Sequence, residues 1–405
     1  MVATGILLLS AMMGFVSALL WIPVALLSLQ VLVALLRRKD TDDPQAENPT
    51  PRLRVAVLMP AHNESAGIAF ALASVRTQLH PGDRLLVVAD NCTDDTASVA
   101  AAAGAEVVER HDAVRRGKGY ALDFGVRHLD TDPPDIGIVI DADCHVAGGG
   151  IDRLARQCAR TGRTAQALYL MYSPEGAGLK TRLAEFAWVV KNQVRPLGFF
   201  SMSLPCQLMG TGMAFPWASL RIAPLATGHI VEDVKLGLDL AAAGAPPMFC
   251  PRALVTSHFP SHAEGLVAQR TRWEHGHLGV IMSTAPALLW RAIVERRGAL
   301  AAMVVDLCIP PLASFVLMMV IWLGLSGAWW AAGGAAAPFA ATGVALIVLG
   351  LTILATWFRF GRHIVSLKEL FSVPGYVLGK LPMYARFWKA RQVEWVRTER
   401  DDKSN

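Results

Sequence analysis

Residues Met1 to Leu36 include no charged side chain, and Arg37, Arg38 and Lys39 follow at once. A bilayer-spanning helix needs about 20 apolar residues, so this run is long enough to cross. A cleaved export signal has its basic residues ahead of a shorter apolar core. Here the order is reversed, which predicts a retained anchor over residues 1–38. Basic flanks stay on the cytoplasmic side, so the chain after the anchor is expected there too. Two more apolar runs are predicted to span: Ala299 to Leu325, after Arg296 and Arg297, and Phe339 to Phe358, before Arg359 and Arg362. The stretch between them, Gly324 to Thr342, is uncharged and is expected outside. All three crossings agree on one orientation: a multi-pass protein of the inner (cytoplasmic) membrane with a cytoplasmic middle domain.

Composition supports this division. The 405 residues are 53% hydrophobic and only 18% charged, too apolar for a soluble chain of this length. Net charge is +5, but the basic residues gather beside apolar runs rather than along a stripe, which argues against nucleic acid. Six cysteines, Cys92, Cys144, Cys158, Cys206, Cys250 and Cys308, show no CxxC and no Cys/His metal spacing, and read as small buried hydrophobes. Pro310 and Pro311 are expected to kink the second span. Asp306, one turn earlier, is either a functional group inside the membrane or a headgroup-level acid touching water. The tail, residues 359–405, sets Leu367, Leu370, Phe371 and Trp388 among Lys368, Lys380, Arg386 and Lys389. That pattern suits a helix lying on anionic membrane lipids. Residues 262–298 form either an interfacial helix or a packed core helix.

The middle domain, residues 51–261, alternates short apolar runs with helical patterns. Arg54–Ala61, Arg84–Asp90 and Ile136–Asp143 read as buried strands. Glu64–Gln78, Asp94–Ala103 and Gly117–Leu129 read as helices between them. Such alternation predicts an α/β fold with a parallel sheet covered on both faces. Ligands of such sheets bind beyond the carboxyl ends of the strands. His62, Asn63, Glu64, Asp90, Asn91, Thr93, Asp141 and Asp143 all fall at those ends. Asn63 and Asp94 could also serve as helix N-caps. No GxGxxG follows the first strand, and RRGKGY lacks the glycine spacing and the Ser/Thr of a Walker A loop.

Three motifs carry chemistry. Asp141-Ala142-Asp143 ends a buried strand and offers hard oxygen ligands suited to Mg2+ or Mn2+. Glu232 and Asp233 open a helix that ends near Gly244; acids there suit the helix dipole, and one of them could act as a general base. Gln269-Arg270-Thr271-Arg272-Trp273 offers two guanidinium groups for phosphate oxygens and an indole face for a sugar ring, or an Arg/Trp cluster at the membrane interface. His275 and His277 follow it and suggest a structural or acceptor-side role, since two histidines alone do not complete a metal site.

Taken in order, Asp90 in ADNCTDDT, Asp141-Ala142-Asp143, Glu232-Asp233 and Gln269 to Trp273 resemble the membrane-bound family 2 glycosyltransferases. That group includes cellulose, hyaluronan and chitin synthases, nodulation chitooligosaccharide synthases and ceramide glucosyltransferases. PAHNE (60–64) and GKGYAL (117–122) match as well. Many relatives carry two adjacent acids where this chain has Ala89-Asp90.

The resemblance implies a GT-A fold flanked by transmembrane helices and an inverting, metal-dependent transfer from a nucleotide sugar. It implies that Pro60, His62, Glu64, Asp90, Lys118, Asp141 and Asp143 bind the donor, with Asp143 on the metal. It assigns Asp233 as the base. Gly210, Thr211, Gly212, Glu232, Gln269, Arg270, Arg272 and Trp273 would serve the acceptor or the diphosphate. A UDP-sugar is expected ahead of a GDP-sugar. Three spans are few for a polymer channel, so the expected acceptor is a lipid-linked or growing glycan in cell-surface polysaccharide assembly. The alternatives are a short-chain processive synthase, with a second copy or an export partner completing a channel, and a glycolipid glucosyltransferase.

Overall fold

The computed structural model describes residues 2–37, 52–229, 231–260, 263–372 and 375. Helix α1 (Val2–Leu36) is followed by β1 (Val55–Ala61), α2 (Ile68–Arg76), β2 (Arg84–Asp90), α3 (Thr96–Ala102), β3 (Glu106–Arg110), α4 (Lys118–Leu129) and β4 (Ile136–Val139). Then come β5 (His145–Val146), α5 (Gly150–Thr161), β6 (Ala165–Tyr172), α6 (Leu179–Val189), a π-helical turn (Val190–Val194) and α7 (Arg195–Ser201). The domain closes with β7 (Met213–Pro216), α8 (Trp217–Arg221), α9 (Glu232–Ala242) and β8 (Met248–His258). The remaining helices are α10 (Ala263–Ser283), α11 (Ala285–Val294), α12 (Gly298–Leu307), α13 (Leu312–Ala331), α14 (Ala337–Thr356), a second π turn (Trp357–Gly361) and α15 (Leu367–Leu370).

The eight strands form one mixed sheet in the order β3-β2-β1-β4-β7-β6-β8-β5. β1, β2, β3 and β4 run parallel, β7 is antiparallel to both β4 and β6, and β8 runs parallel to β6. The carboxyl ends of β1, β2 and β4 therefore share an edge. Their near-continuous burial follows from cover on both faces. Val55, Val57 and Met59 of β1 pack toward Ile68 and Leu72 of α2. Ala56 and Leu58, one residue out of phase, pack toward Leu122, Val126 and Leu129 of α4. Gly125 lets α4 approach closely, since a Cβ there would lie 2.4 Å from Leu58 Cδ1.

The two expected caps are used differently. Neither Asn63 nor Asp94 is the N-cap of its helix; α2 starts after Gly67 and α3 after Asp95. Asn63 instead takes a left-handed backbone (φ 52) and exchanges hydrogen bonds with Thr93, at 2.9 and 2.7 Å. Asp94 Oδ1 accepts from Thr96 N at 3.1 Å and Oδ2 from Ser65 N at 3.3 Å. Both side chains thus tie the β1 and β2 loops together.

Three described helices are long and apolar enough to cross a membrane: Thr4–Leu36, Leu312–Ala331 and Ala337–Gly361. Leu7, Leu8, Phe15 and Ile22 of α1 are exposed, as a lipid-facing surface would be. The expected span Ala299–Leu325 is in fact two helices. The Pro310-Pro311 pair breaks the chain rather than bending it, so α12 stays on the α/β domain and the long apolar helix begins only at Leu312. Much of the stretch expected as an outer loop is helical, leaving a short connection before Ala337. Within the expected segment 262–298 the described residues form α10 and α11, bent by 45° at the break between Ser283 and Ala285. The expected amphipathic tail lies largely outside the described residues, beyond the short α15.

The apolar helices are stitched together by small polar contacts. Trp322 Nε1 donates to Ser17 Oγ at 2.9 Å, Ser17 Oγ lies 3.1 Å from Thr342 Oγ1, and Ser28 Oγ lies 2.8 Å from Thr352 Oγ1. The join to the α/β domain is ionic. Arg195 Nη2 donates to Asp306 Oδ1 at 2.9 Å and to Asp306 O at 2.6 Å, while Gln30 Nε2 of α1 donates to the same Oδ1 at 2.7 Å. Asp306 is 6% exposed and Arg195 8%. The headgroup-level expectation for Asp306 does not hold: the side chain is buried and ion-paired, not water-facing, and its partners join α1, α7 and α12. Beside it, Gly198 of α7 admits α1, since a Cβ would lie 2.3 Å from Gln30 O. Removing one member of a buried pair strands the other charge, at a cost of about 3–5 kcal/mol, whereas a well-packed apolar replacement of both can be neutral. Asp306→Leu should therefore lower the melting temperature in detergent markedly, and Arg195→Met with Asp306→Leu should recover much of the loss.

Candidate active site

Beyond the carboxyl ends of β1, β2 and β4 lies a cleft of about 580 Å3. Its walls include Pro60, His62 and Glu64 after β1, Asp90 at the end of β2, Lys118 at the start of α4, and Asp141 and Asp143 after β4. Arg272 of α10 reaches in from across the cleft. All seven residues expected on the donor side are therefore brought together, with one of the arginines from the Gln269–Trp273 motif.

Backbone and side-chain hydrogen bonds fix the floor. His62 Nδ1 donates to Asp90 O at 2.7 Å, and Glu64 N donates to Thr96 Oγ1 at 2.8 Å. Asp90 Oδ1 accepts from Arg110 Nη1 at 2.6 Å and from Asn91 Nδ2 at 3.0 Å. Arg110 is itself held by Arg115 O at 2.7 Å and lies over the Tyr120 ring, 5.7 Å from its centroid. Asp90 Oδ2 accepts no hydrogen bond among the described residues. Arg110 is a site residue that sequence reasoning missed. Its place on β3 follows from the register that pairs it with Asp90, a signal that appears only once the strands are aligned.

Lys118 occupies the centre. Its Nζ donates to Gly210 O at 2.8 Å and forms a short ion pair with Asp141. Burial alone would lower the lysine pKa; Asp141 first, then Glu232 and Asp233, overcome it and hold the ammonium above its ordinary value. Gly119, next in the motif, allows α4 to start under the following loop: a Cβ would lie 2.4 Å from Leu225 O and 2.6 Å from Thr227 O. Thr211 Oγ1 accepts from Asp141 N at 3.0 Å, so the Gly210-Thr211 turn fixes both partners of the ion pair. Gly212 faces elsewhere, against Ala167 and Val255.

Asp141, Asp143 and Cys144 bring potential ligand atoms within 4.8 Å of one another. Burial, then Asp143 and Asp141, push the Cys144 thiol well up, so it remains a thiol. The donor set is then two carboxylates, which fits a hard divalent cation. Asp141 is engaged by Lys118, and Asp143 beside it lines the same cleft and could hold such an ion. Cys158, Cys206 and Cys250 are likewise buried and free, but Cys92 and Cys308 are only partly buried, so the expected burial holds for four of the six.

Glu232 and Asp233, at the start of α9, lie beside the cleft. A Cβ on Gly210 would be 3.5 Å from Asp233 Oδ2 and 3.7 Å from Lys118 Nζ, so the base candidate and the lysine share one turn. Burial raises the pKa of both carboxyls; for Glu232, the charge on Asp233 adds to it, while Lys118 pulls both down.

The Gln269–Trp273 motif divides its side chains. Arg272 faces the cleft, but Arg270 Nη2 donates to Lys180 O at 2.9 Å and, with Trp273, lines a second cavity of about 180 Å3. Gln269 is buried at 4% exposure. The Trp273 ring lies 4.9 Å from that of Trp188. His277 Nε2 donates to Leu307 O at 2.9 Å, tying α10 to α12, and His275 is buried.

The profile described as Glycosyl transferase family 2 matches residues 56–207, and that described as Glycosyl transferase family group 2 matches residues 138–358. An uncharacterized glycosyltransferase of Mycobacterium tuberculosis is 39% identical over 103 residues, covering 25% of this chain and 43% of that protein. The glucosyl-3-phosphoglycerate synthase of the same species is 41% identical over 96 residues, covering 22% and 28%. The chain thus spans less than half the length of these curated relatives. Among solved structures, the mannosyltransferase PcManGT of Pyrobaculum calidifontis, in complex with GDP-Man and Mn2+, superposes with a TM-score of 0.55 at 18% identity. It covers 87% of this chain and 98% of that one, a likeness of fold.

A carboxyl whose pKa is raised on folding binds its proton more tightly in the native state. Stability therefore falls as pH rises through the raised value, and the full penalty is present above it. Glu232→Gln should raise the melting temperature at about pH 8, and the gain should vanish by about pH 4, where the wild-type carboxyl is protonated whether folded or unfolded. Paired thermal melts across that range measure it.

Proposed function

The chain belongs to glycosyl transferase family group 2, and from that membership we propose a membrane-embedded, inverting transferase that moves a sugar from a nucleotide sugar to a lipid-linked or growing glycan acceptor at the cytoplasmic face. One observation carries the reading. Asp90, Lys118, Asp141, Asp143 and Arg272 line a single cleft, and Asp233 adjoins it through Gly210 and Lys118. The topology supports it as well, because the GT-A arrangement puts these residues at one sheet edge.

The nucleotide lies along the β1 and β2 ends. Asp90 spends Oδ1 on Arg110 and Asn91, so one oxygen remains for a base. A single acceptor suits the lone N3–H of uracil, whereas guanine presents two adjacent donors that call for both oxygens. This favours a UDP-sugar over a GDP-sugar. The diphosphate falls between Lys118 and Arg272, both of which donate to phosphate oxygens. Asp143 would hold Mg2+ or Mn2+, which supplies neutralisation of the leaving diphosphate.

Transfer is a single displacement. The acceptor hydroxyl gives its proton to Asp233 as its oxygen bonds to the anomeric carbon. The bond from that carbon to the diphosphate breaks, and its electron pair leaves with the nucleoside diphosphate. Attack and departure on opposite faces invert the centre. Holding the two reactants in line supplies much of the rate. Burial lifts the Asp233 pKa toward the range of an effective base, and Lys118 keeps it from rising so far that it stays protonated.

Asp233→Asn should leave nucleotide binding within about twofold while lowering transfer by roughly 10²–10⁴-fold. Asp143→Asn should instead weaken binding of UDP in the presence of Mn2+. Calorimetry with UDP and Mn2+, beside a labelled-sugar transfer assay with membrane lipids, separates the two effects. Full transfer by Asp233→Asn would remove that residue from its assigned role.

A further inference from the structure

The second cavity, of about 180 Å3, lies where the catalytic domain meets the apolar helices. Its volume exceeds the roughly 150 Å3 of an apolar cavity that takes up benzene. One side is built by Leu27 of α1, Leu312 and Val316 of α13 and Ile353 of α14, all within candidate spans. Phe186 of α6 and the Trp188–Trp273 ring pair close the other side. A free glycan would leave its hydroxyls without partners against such walls, which is unfavourable. A hydrocarbon chain would not.

The cavity has one polar rim. Arg195 lies there, but its charge is consumed by Asp306. Lys191 and Arg270 stand against the single carboxylate of Glu274, so the rim is positive by one charge. Lys191, on the π turn, is exposed to this space and makes no hydrogen bond or ion pair among the described residues; its ammonium lies 5.5 Å over the Trp188 ring. Surrounding protein desolvates it and lowers its pKa, a cost that an anionic ligand would relieve. Lys191 is also close enough to Asp233 for each to act on the other's charge.

We propose that this cavity is the acceptor site and that the acceptor is a membrane lipid with a phosphate headgroup, its first carbons between α6 and α13 and its phosphate on Lys191, the P–OH of the monoanion being the hydroxyl that gives its proton to Asp233 as its oxygen bonds to the anomeric carbon. The assignment rests on the transferase reading and names the acceptor class within it. Lys191 is a binding residue that places the headgroup beside the base. The family motifs do not include it.

The test uses the full chain in phosphatidylcholine nanodiscs with two dilute photoreactive lipids: phosphatidic acid and diacylglycerol carrying the same diazirine acyl chain. Phosphatidic acid should label Leu183–Arg195 and Leu312–Val316 about tenfold more than diacylglycerol, the ratio given by roughly 1.4 kcal/mol of headgroup contact. Lys191→Met should abolish that preference, and Lys191→Arg should keep it. Ala313→Trp, which fills the cavity, should suppress labelling by both lipids. Equal labelling of wild type by the two lipids, or labelling unaffected by Ala313→Trp, would overturn the proposal. UDP binding with Mn2+ is measured on the same samples. If UDP binds and the lipid preference is missing, only the acceptor assignment fails. If wild type does not bind UDP, the transferase reading fails, whatever the lipids do.

Discussion

The buried pair between Arg195 and Asp306 is the contact on which the relation of the two halves depends. It joins the end of the π turn to the end of α12 and, through Gln30, to α1. Gln207 Nε2 adds a bond to Met303 O at 2.8 Å. Apolar packing alone would hold α1 against α7, but it is non-directional and would tolerate sliding along the helix axis. A buried carboxylate with one guanidinium donor and the amides of Gln30 and Gln207 permits a single register. The pair is weak evidence of added stability, because desolvating both charges offsets most of their attraction. Its effect is to fix position, and what it positions is the π turn with Lys191 and the start of α13.

A second constraint acts inside the cleft. Asp141, Glu232 and Asp233 crowd around one lysine, with Asp143 close by. Without Lys118, burial and mutual repulsion would drive protons onto the acids, and a protonated Asp233 could not accept another. Lys118 reaches the group because Gly119 lets α4 begin directly under the loop at Leu225, and because Gly210 offers its carbonyl. Gly119 and Gly210 are thus part of the electrostatics, the first through the approach it permits and the second through its carbonyl. The raised carboxyl pKa values show that the arrangement is costly to the fold, as is common where groups are set for chemistry rather than for stability.

Much of this was legible in the order of residues. Strands β1 and β2 and the acids after them follow from apolar runs ended by polar clusters, and the structure places them at one edge. The split of the second span was not legible. A double proline in an apolar run reads as a kink in a helix, and only the packing of α12 against α9 and α11 makes it a full break. The Arg195–Asp306 pair is separated by 111 residues, so neither side chain announces the other. Arg110 needed the β2–β3 register, and Lys191, in the run WVVKNQV, looks like one polar residue on an ordinary helix.

The π turn explains why Lys191 could not be found by periodicity. Helix α6, the turn and α7 run without interruption from Leu179 to Ser201. A π turn inserts one residue into an α-helix and rotates everything after it by about 100°. Lys191 and Arg195 lie four residues apart and both reach the second cavity, yet Arg195 must also point at Asp306 and Gly198 must face Gln30. On α6, Phe186 and Val189 pack among the apolar helices, which fixes the phase before the turn. A regular helix carrying that phase forward would swing Arg195 about 100° from the aspartate. The extra residue satisfies both ends at once. It places Lys191, which makes no hydrogen bond or ion pair among the described residues, on the lining of the apolar cavity and near Asp233, and π turns recur at functional sites.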